Sequence, residues 1–272
     1  MKCFFKLKYN RKGKEVYPKT SVFLLSIFLI YFLVLGVNFL RYHSEIRANQ
    51  SLIQKLEQEE LERKEKEQEL LLQKQILINN LDLKTDSSLT KFVSSNIHFD
   101  DISYIPEDLV NISGDYIYDA KGGYQLLRKE AKDALDKMAL DFYRAYEKKL
   151  VVVSSYRSYN YQKGIKNRGC PDNLCAKAGY SEHQSGLAID LWEATTKNQF
   201  LSKAYLKDYF EWLNNNAYKY GFHNTYQKGL EVDTYEIEPW HWRYVGVELA
   251  TYLHENSLTF AEYYNKKNNP KG

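Results

Sequence analysis

The chain has 272 residues, of which 44% are hydrophobic and 27% charged, enough for one medium domain with extra segments and too apolar for a disordered protein. A net charge of +3 is too close to neutral to argue for a nucleic-acid partner, and the 24 tyrosines read as core packing before they read as a polymer-binding groove. Of the 3 cysteines, Cys170 and Cys175 flank a short loop and read either as a local disulfide in an oxidising compartment or as two free thiols, a set too small to hold zinc by itself.

Residues 1–20 are basic, with Lys2, Lys6, Lys8, Arg11, Lys12, Lys14 and Lys19 against the single acid Glu15. Residues 21–40 follow without a charge, and at 1.5 Å per residue such a run spans about 30 Å, the thickness of a bilayer core. The basic flank predicts a cytoplasmic N-terminus, with everything after the span outside the cytoplasm. A cleaved signal peptide would have a shorter apolar core and a small-x-small cleavage site, whereas Arg41, Tyr42 and His43 come next, so the run reads as an uncleaved anchor.

Residues 44–82 are rich in Glu, Gln, Lys and Leu and contain neither Gly nor Pro, a composition that favours helix. One heptad frame collects Ile46, Ile53, Leu56, Leu70, Leu77 and Leu81, but the same seam holds Asn49, Glu60, Arg63, Glu67 and Lys74. A charged helical stalk is therefore expected, with a dimeric coiled coil as the weaker reading. Either would act as a spacer of up to about 58 Å.

The composition changes at Asp86, and a compact domain is expected over 86–265, after a stalk at 41–85 and before a tail at 266–272. Residues 104–110 read as an extended entry and 124–148 as a helix with a buried stripe through Leu127, Ala131, Leu135, Met138 and Phe142. Residues 150–154 form a β-branched run, a central strand. Residues 198–220 read as one amphipathic helix stopped by Gly221, 222–226 and 235–245 as strands, and 247–265 as a last helix.

Two stretches carry the chemistry. Ser181-Glu182-His183-Gln184-Ser185-Gly186-Leu187-Ala188-Ile189-Asp190 and Glu238-Pro239-Trp240-His241-Trp242-Arg243-Tyr244 offer two imidazoles, a short carboxylate and a longer one. That set matches three zinc ligands, His183, Asp190 and His241, with Glu238 as the base for an attacking water. Strand alternation would put Ala188 and Asp190 on one face and Leu187 and Ile189 on the other, and Gly186 would let His183 turn sharply towards that strand. Pro239 restricts Glu238 to extended geometry. Trp240 and Trp242 flank His241, one directed to the core and one, taken as Trp240, to the cleft. His223 is the remaining histidine placed near the cleft. Arg157 can bind a free carboxylate or an oxyanion through its planar fork, or can be a surface ion pair. Spacing alone leaves each of these residues open to an ordinary structural role.

Taken together, Ser155-Tyr156-Arg157-Ser158 with Gln162, the His183 to Asp190 stretch, and Glu238 to Gly246 resemble the VanY-type D-alanyl-D-alanine carboxypeptidases and the similar L,D-carboxypeptidases of peptidoglycan. The resemblance covers roughly residues 102–263. It implies a zinc peptidase of the Hedgehog/DD-peptidase fold, α+β, with a small antiparallel sheet carrying the metal and helices flanking it. By matching positions it implies His183, Asp190 and His241 as zinc ligands, Glu238 and Arg157 as catalytic, and Arg157, Gln162 and Ser181 in contact with substrate; Trp240 joins the substrate-contacting set only from its place beside His241. Relatives often carry an Arg-Tyr-Pro segment where this chain has His223-Asn224-Thr225-Tyr226, and the cysteine loop is also a departure. The implied activity is removal of the terminal D-alanine from peptidoglycan stem peptides at the outer side of the cytoplasmic membrane. L,D-cleavage of tetrapeptide stems, a zinc-stabilised wall-binding module without activity, and a stalk that pairs with itself or another protein are the rival readings.

Overall fold

Helix α1 (Lys19–Asn79) runs from the apolar segment through the charged one without a break. In the computed structural model, which describes residues 8–9, 15–16, 19–192 and 196–268, it follows a short antiparallel pair, β1 (Lys8–Tyr9) and β2 (Glu15–Val16). The rest of the basic segment 1–20 and the end of the tail, 269–272, lie outside the described residues. The chain divides into two units, Met1–Leu72 and Gln73–Gly272.

In the first unit the large side chains from Val22 to Leu40 are all exposed. This is one helix long and apolar enough to cross a membrane. The later turns carry exposed i,i+4 ion pairs, Arg41–Glu45 at 3.5 Å and Lys64–Glu60 at 2.8 Å, each worth a few tenths of a kcal/mol to a helix. The seam residues Ile53, Leu56 and Leu70 face solvent within the chain.

The second unit is mixed α+β. It takes in the last turn of α1: Ile78 is buried with Leu83, Phe92, Leu249, Leu253 and Phe260, and the Tyr263 hydroxyl donates to the Ile78 carbonyl at 2.6 Å. Its centre is a five-stranded sheet of order β4-β6-β7-β9-β8, made of Ile117–Asp119, Leu150–Ser154, Ala188–Leu191, His241–Tyr244 and Phe222–Asn224. All pairings are antiparallel except β4 with β6. The chain crosses from β4 to β6 through helix α2 (Lys129–Tyr146), and a helical crossover returns a strand parallel to its partner, so the expected all-antiparallel sheet has one parallel edge. The core holds Ala131, Leu135, Met138 and Phe142 of α2 with Leu150, Val152, Ile189 and Leu191 of the sheet and Leu206 and Leu213 of helix α5 (Ala204–Asn216).

Several expected elements are shorter or divided. Leu126–Arg128 is strand β5, paired with β3 (Leu109–Asn111), and α2 begins only at Lys129. A short apolar run serves either period equally well, so periodicity could not separate them. The helix expected over 198–220 breaks at Lys203, which is extended, into α4 (Lys197–Ser202), α5 and a 3₁₀ turn at Ala217–Tyr220. The strand expected over 235–245 is only His241–Tyr244, because the Glu238 N–H already donates to the Tyr226 carbonyl and Pro239 has no N–H to give. The last helix divides into α7 (Val247–Glu255) and α8 (Phe260–Asn268). Thr259 and Glu262 form a reciprocal capping box that starts α8 afresh, a signal legible as Thr-x-x-Glu. The remaining helices are α3 (Tyr159–Asn167), capped by the Ser158 hydroxyl, and the single turn α6 (Leu230–Asp233).

Candidate metal centre

The two motif stretches meet across one strand pair. β7 and β9 are registered so that Asp190 faces His241, with Ala188 against Arg243. Ile189 and Leu191 belong to the core, which leaves Asp190 on the other face, as alternation predicts. His183 arrives from a 3₁₀ turn, Glu182–Ser185, that ends on Gly186 in the left-handed region with φ 68°. A Cβ at Gly186 would stand 2.8 Å from Leu109 Cδ2 and 3.0 Å from Arg128 Cγ, so both the conformation and the space require glycine there.

One donor atom from each of His183, Asp190 and His241 lies within 4.8 Å of the others. His183 Nδ1 lies 2.7 Å from the Ser155 carbonyl, which orients the ring. Its Nε2 is 3.2 Å from Asp190 Oδ2 but lacks hydrogen-bond geometry, so a buried imidazole nitrogen points into the cluster without a hydrogen-bond partner. His241 Nδ1 lies 3.0 Å from Asp190 Oδ1 and its Nε2 2.8 Å from Glu182 Oε2. Two imidazoles and a carboxylate, with one unsatisfied nitrogen among them, are the donor set a zinc ion takes, and the residues fit it.

The charges agree. Burial opposes a charge on His241, but Asp190 and Glu182 outweigh it and hold its pKa up at about 10. Burial pushes His183 down to about 4, with the Arg157 cation adding to the effect. Burial would raise Asp190, yet His183 and His241 keep it well below the usual carboxylate range. In the metal-free protein a proton on His241 thus supplies the positive charge that faces the Asp190 and Glu182 carboxylates.

Glu238 and Arg157 line the same small cleft as the two imidazoles, together with Gln162 and Ser181. Burial is the main cause that lifts Glu238 to about 7; Asp190 adds to it while His241 and Arg157 pull the other way. Arg157 Nη2 lies 3.9 Å from Asp190 Oδ2, and its buried Nε has no hydrogen-bond partner. Gln162 donates to the Ala176 carbonyl at 2.7 Å, so it also holds the cysteine loop. Cys170 and Cys175 form a disulfide, Cα to Cα 5.9 Å, and Cys175 lies on the cleft wall. Asn173 ties that loop to Glu236 by a side-chain contact of 3.1 Å and a backbone bond of 2.9 Å.

Two sequence expectations need correction. Trp240 is in the core, its ring 6.2 Å from Phe200, and does not line this cleft; the Trp242 indole N–H donates to the Pro239 carbonyl, so both rings pack inward. His223 lies at a separate cavity beside Gln227, Trp242 and His254, and burial holds its pKa down at about 4. β8 carries it at the sheet edge, one strand beyond His241.

Sequence reasoning passed over Glu182, Arg243, Tyr226 and Tyr235. Glu182 and Arg243 are both fully buried and 3.4 Å apart, and Tyr226 stacks on His241 with centroids 4.7 Å apart. Arg243 sits between aromatic strand residues, where a charge needs a buried partner, and that was the available signal.

A family profile described as VanY, D-alanyl-D-alanine carboxypeptidase, matches residues 124–247. The Bacillus subtilis (strain 168) protein YodJ, named as a carboxypeptidase, is 38% identical over 174 residues, which cover 60% of this chain and 63% of YodJ. A D-alanyl-D-alanine carboxypeptidase of Enterococcus faecium is 29% identical over 166 residues, 58% of this chain and 52% of that protein. The chain thus spans about half to two thirds of the length of these relatives. A solved structure of the LdcB LD-carboxypeptidase superposes with a TM-score of 0.56 at 34% identity, over 66% of this chain and 87% of LdcB. With its motifs meeting in one cleft and this degree of likeness, the chain belongs to the VanY-type D-alanyl-D-alanine and L,D-carboxypeptidase family.

Proposed function

We propose that the chain is a zinc-dependent D,D-carboxypeptidase that removes the terminal D-alanine from peptidoglycan stem peptides. The observation that carries the reading is the convergence of His183, Asp190 and His241 within 4.8 Å, in the cleft that Glu238 and Arg157 also line. His183, Asp190 and His241 would hold the zinc. A zinc ion in such a site polarises a carbonyl and acidifies water.

The chain's own groups do the rest. Arg157, on the cleft wall, pairs with the free carboxylate of the substrate or with the oxyanion through its planar fork. Gln162 and Ser181 line the approach to it. Glu238, lifted towards 7 by burial, takes a proton from the attacking water and returns it to the leaving amine. Trp240 backs the cleft from the core and has no part in this reading.

Residues 21–40 serve as a single membrane anchor with the N-terminus inside, and the charged part of α1 as a spacer to the wall. The polar residues in the heptad seam give little support to self-pairing. The likeness to LdcB supports a second reading, L,D-cleavage of tetrapeptide stems. Intact Glu238 and Arg157 in the cleft weigh against a purely binding module. Digestion of pentapeptide and tetrapeptide muropeptides by the detergent-solubilised full chain, with and without a chelator and read by mass spectrometry, tests all three. Loss of one D-alanine from the pentapeptide only, abolished by the chelator, is the expected result. Cleavage of the tetrapeptide alone overturns the D,D reading, and zinc uptake without any cleavage overturns the enzyme.

A further inference from the structure

The Glu238 carboxylate has no hydrogen-bond or ion-pair partner among the described residues, so the backbone that carries it must aim it. Few bonds hold that backbone. Pro239 comes next in the chain and has no N–H to give. The Glu238 N–H donates to the Tyr226 carbonyl at 3.0 Å, and the His241 N–H closes the turn on the Glu238 carbonyl at 3.1 Å.

Asn224 supplies the rest. Its side-chain amide donates to the Glu238 carbonyl at 2.8 Å and to the His241 carbonyl at 2.7 Å. A carbonyl only accepts and an amide nitrogen carries two hydrogens, so both hydrogens go to the two ends of one turn. A bond to either end alone would leave their separation free, whereas the pair fixes it. Asn224 is 3% exposed, and its own carbonyl accepts from Gln227 Nε2 at 2.6 Å. In the sheet register it pairs with Trp242, next to His241, so by alternation its side chain lies on the face away from that imidazole. It is absent from the cleft wall and lines instead the separate cavity of about 440 Å³ beside His223 and Trp242. The amide therefore reaches the site only through the backbone of residues 238 and 241. It falls in the His223-to-Tyr226 segment, where the sequence departs from the pattern it resembles.

We infer that Asn224 is a positioning residue for the reaction: its amide clamps the turn from Glu238 to His241 and so holds the base in register with the strand that carries the metal ligand. Misplacing a reacting group by about 1 Å can cost about 100-fold in rate. The inference rests on Glu238 as the base, as proposed above.

The test uses the full chain in detergent micelles, wild type and Asn224→Leu, which keeps the bulk and removes both donors. Steady-state hydrolysis is followed on the muropeptide that wild type cleaves, zinc content by atomic absorption, and amide hydrogen exchange by mass spectrometry over residues 236–242. The expected result is a folded, zinc-loaded variant with kcat lowered about 10–100-fold, KM little changed, and faster exchange confined to that segment. A folded variant that loses less than about tenfold in kcat, or whose loss lies in KM, overturns the inference. So does a loss of activity that follows a loss of zinc, since the amide would then serve the ligand and not the base. Should Asn224→Leu fail to fold, Asn224→Ala replaces it, because the adjoining cavity can admit water to the freed carbonyls. Failure of both to fold makes the amide a requirement of the fold and overturns a positioning role. A wild type that cleaves no muropeptide shows in the control arm that the functional reading has failed. The exchange arm then decides on the clamp by itself, with unaltered exchange over 236–242 overturning it.

Discussion

Asp190 and His241 are register partners on adjacent antiparallel strands, and Asp190 Oδ1 meets His241 Nδ1 at 3.0 Å. The pairing sets the donor geometry through the backbone, since a slip of one residue in either strand would turn its side chain to the opposite face from its partner's. The side chains then set each other's charge, and that coupling makes the site testable through its protons.

Zinc uptake should release protons. His241 holds a proton up to about 10, and a metal must displace the one on its donor nitrogen. Between pH 7 and 9 binding is expected to release about one proton per zinc, so apparent affinity rises with pH. Calorimetric titration in buffers of different ionisation enthalpy measures it directly. An affinity flat with pH contradicts the assignment of His241.

Replacing Glu238 should separate activity from stability. Glu238→Gln is expected to lower kcat by about 10²–10⁴-fold while zinc content is unchanged. In the metal-free protein the same change should stabilise. The folded pKa of about 7 lies above the unfolded 4.5, so the unfolded chain loses its proton first. Wild type therefore loses stability as pH rises from 4.5 to about 7, a loss of about 3 kcal/mol that is complete above 7 and that glutamine does not suffer. Denaturant melts at pH 5 and pH 8 check the sign.

The pH profile of the wild-type enzyme follows from the same group. The base works only when ionised, so kcat/KM should rise with pH along an acidic limb. Its midpoint should lie no higher than about 7, because bound zinc adds positive charge and pulls Glu238 down from its metal-free value. A limb that vanishes in Glu238→Gln identifies the residue.

Arg157→Ala should lower kcat/KM by about 10²–10³-fold, with zinc content retained. Arg157→Lys is expected to recover only part of the loss, because a point charge cannot reproduce the guanidinium fork. Full recovery by lysine would reduce the role to charge alone.

Opening the Cys170–Cys175 disulfide should act on substrate binding. Its loop forms a cleft wall and is tied to Glu236 and Gln162. Paired Cys→Ser replacement is expected to cost about 2 kcal/mol of stability for so short a loop. KM should rise more than kcat falls, as steady-state kinetics of the double variant would show.

Much of this was legible from residue order. The uncharged run at 21–40 announces its own length against a bilayer, and the charged run after it announces helix, because both properties are local. The stripe of α2 and the β-branched strand at 150–154 follow from periodicity. The chemical types at His183, Asp190, His241, Glu238 and Arg157 were visible, and family resemblance joined them. Other features depended on what lies across space. Whether Leu126–Arg128 was helix or strand depended on its pairing with Leu109–Asn111, and the inward packing of Trp240 on the helix that carries Phe200. Cys170 and Cys175 were two thiols or one bond until the loop closed between them. Above all, Glu182 looked like a charged neighbour of a histidine. Only the fold places its carboxylate against an imidazole 59 residues further along and a guanidinium two residues beyond that, since a buried charge takes its meaning from the partners that tertiary structure brings to it.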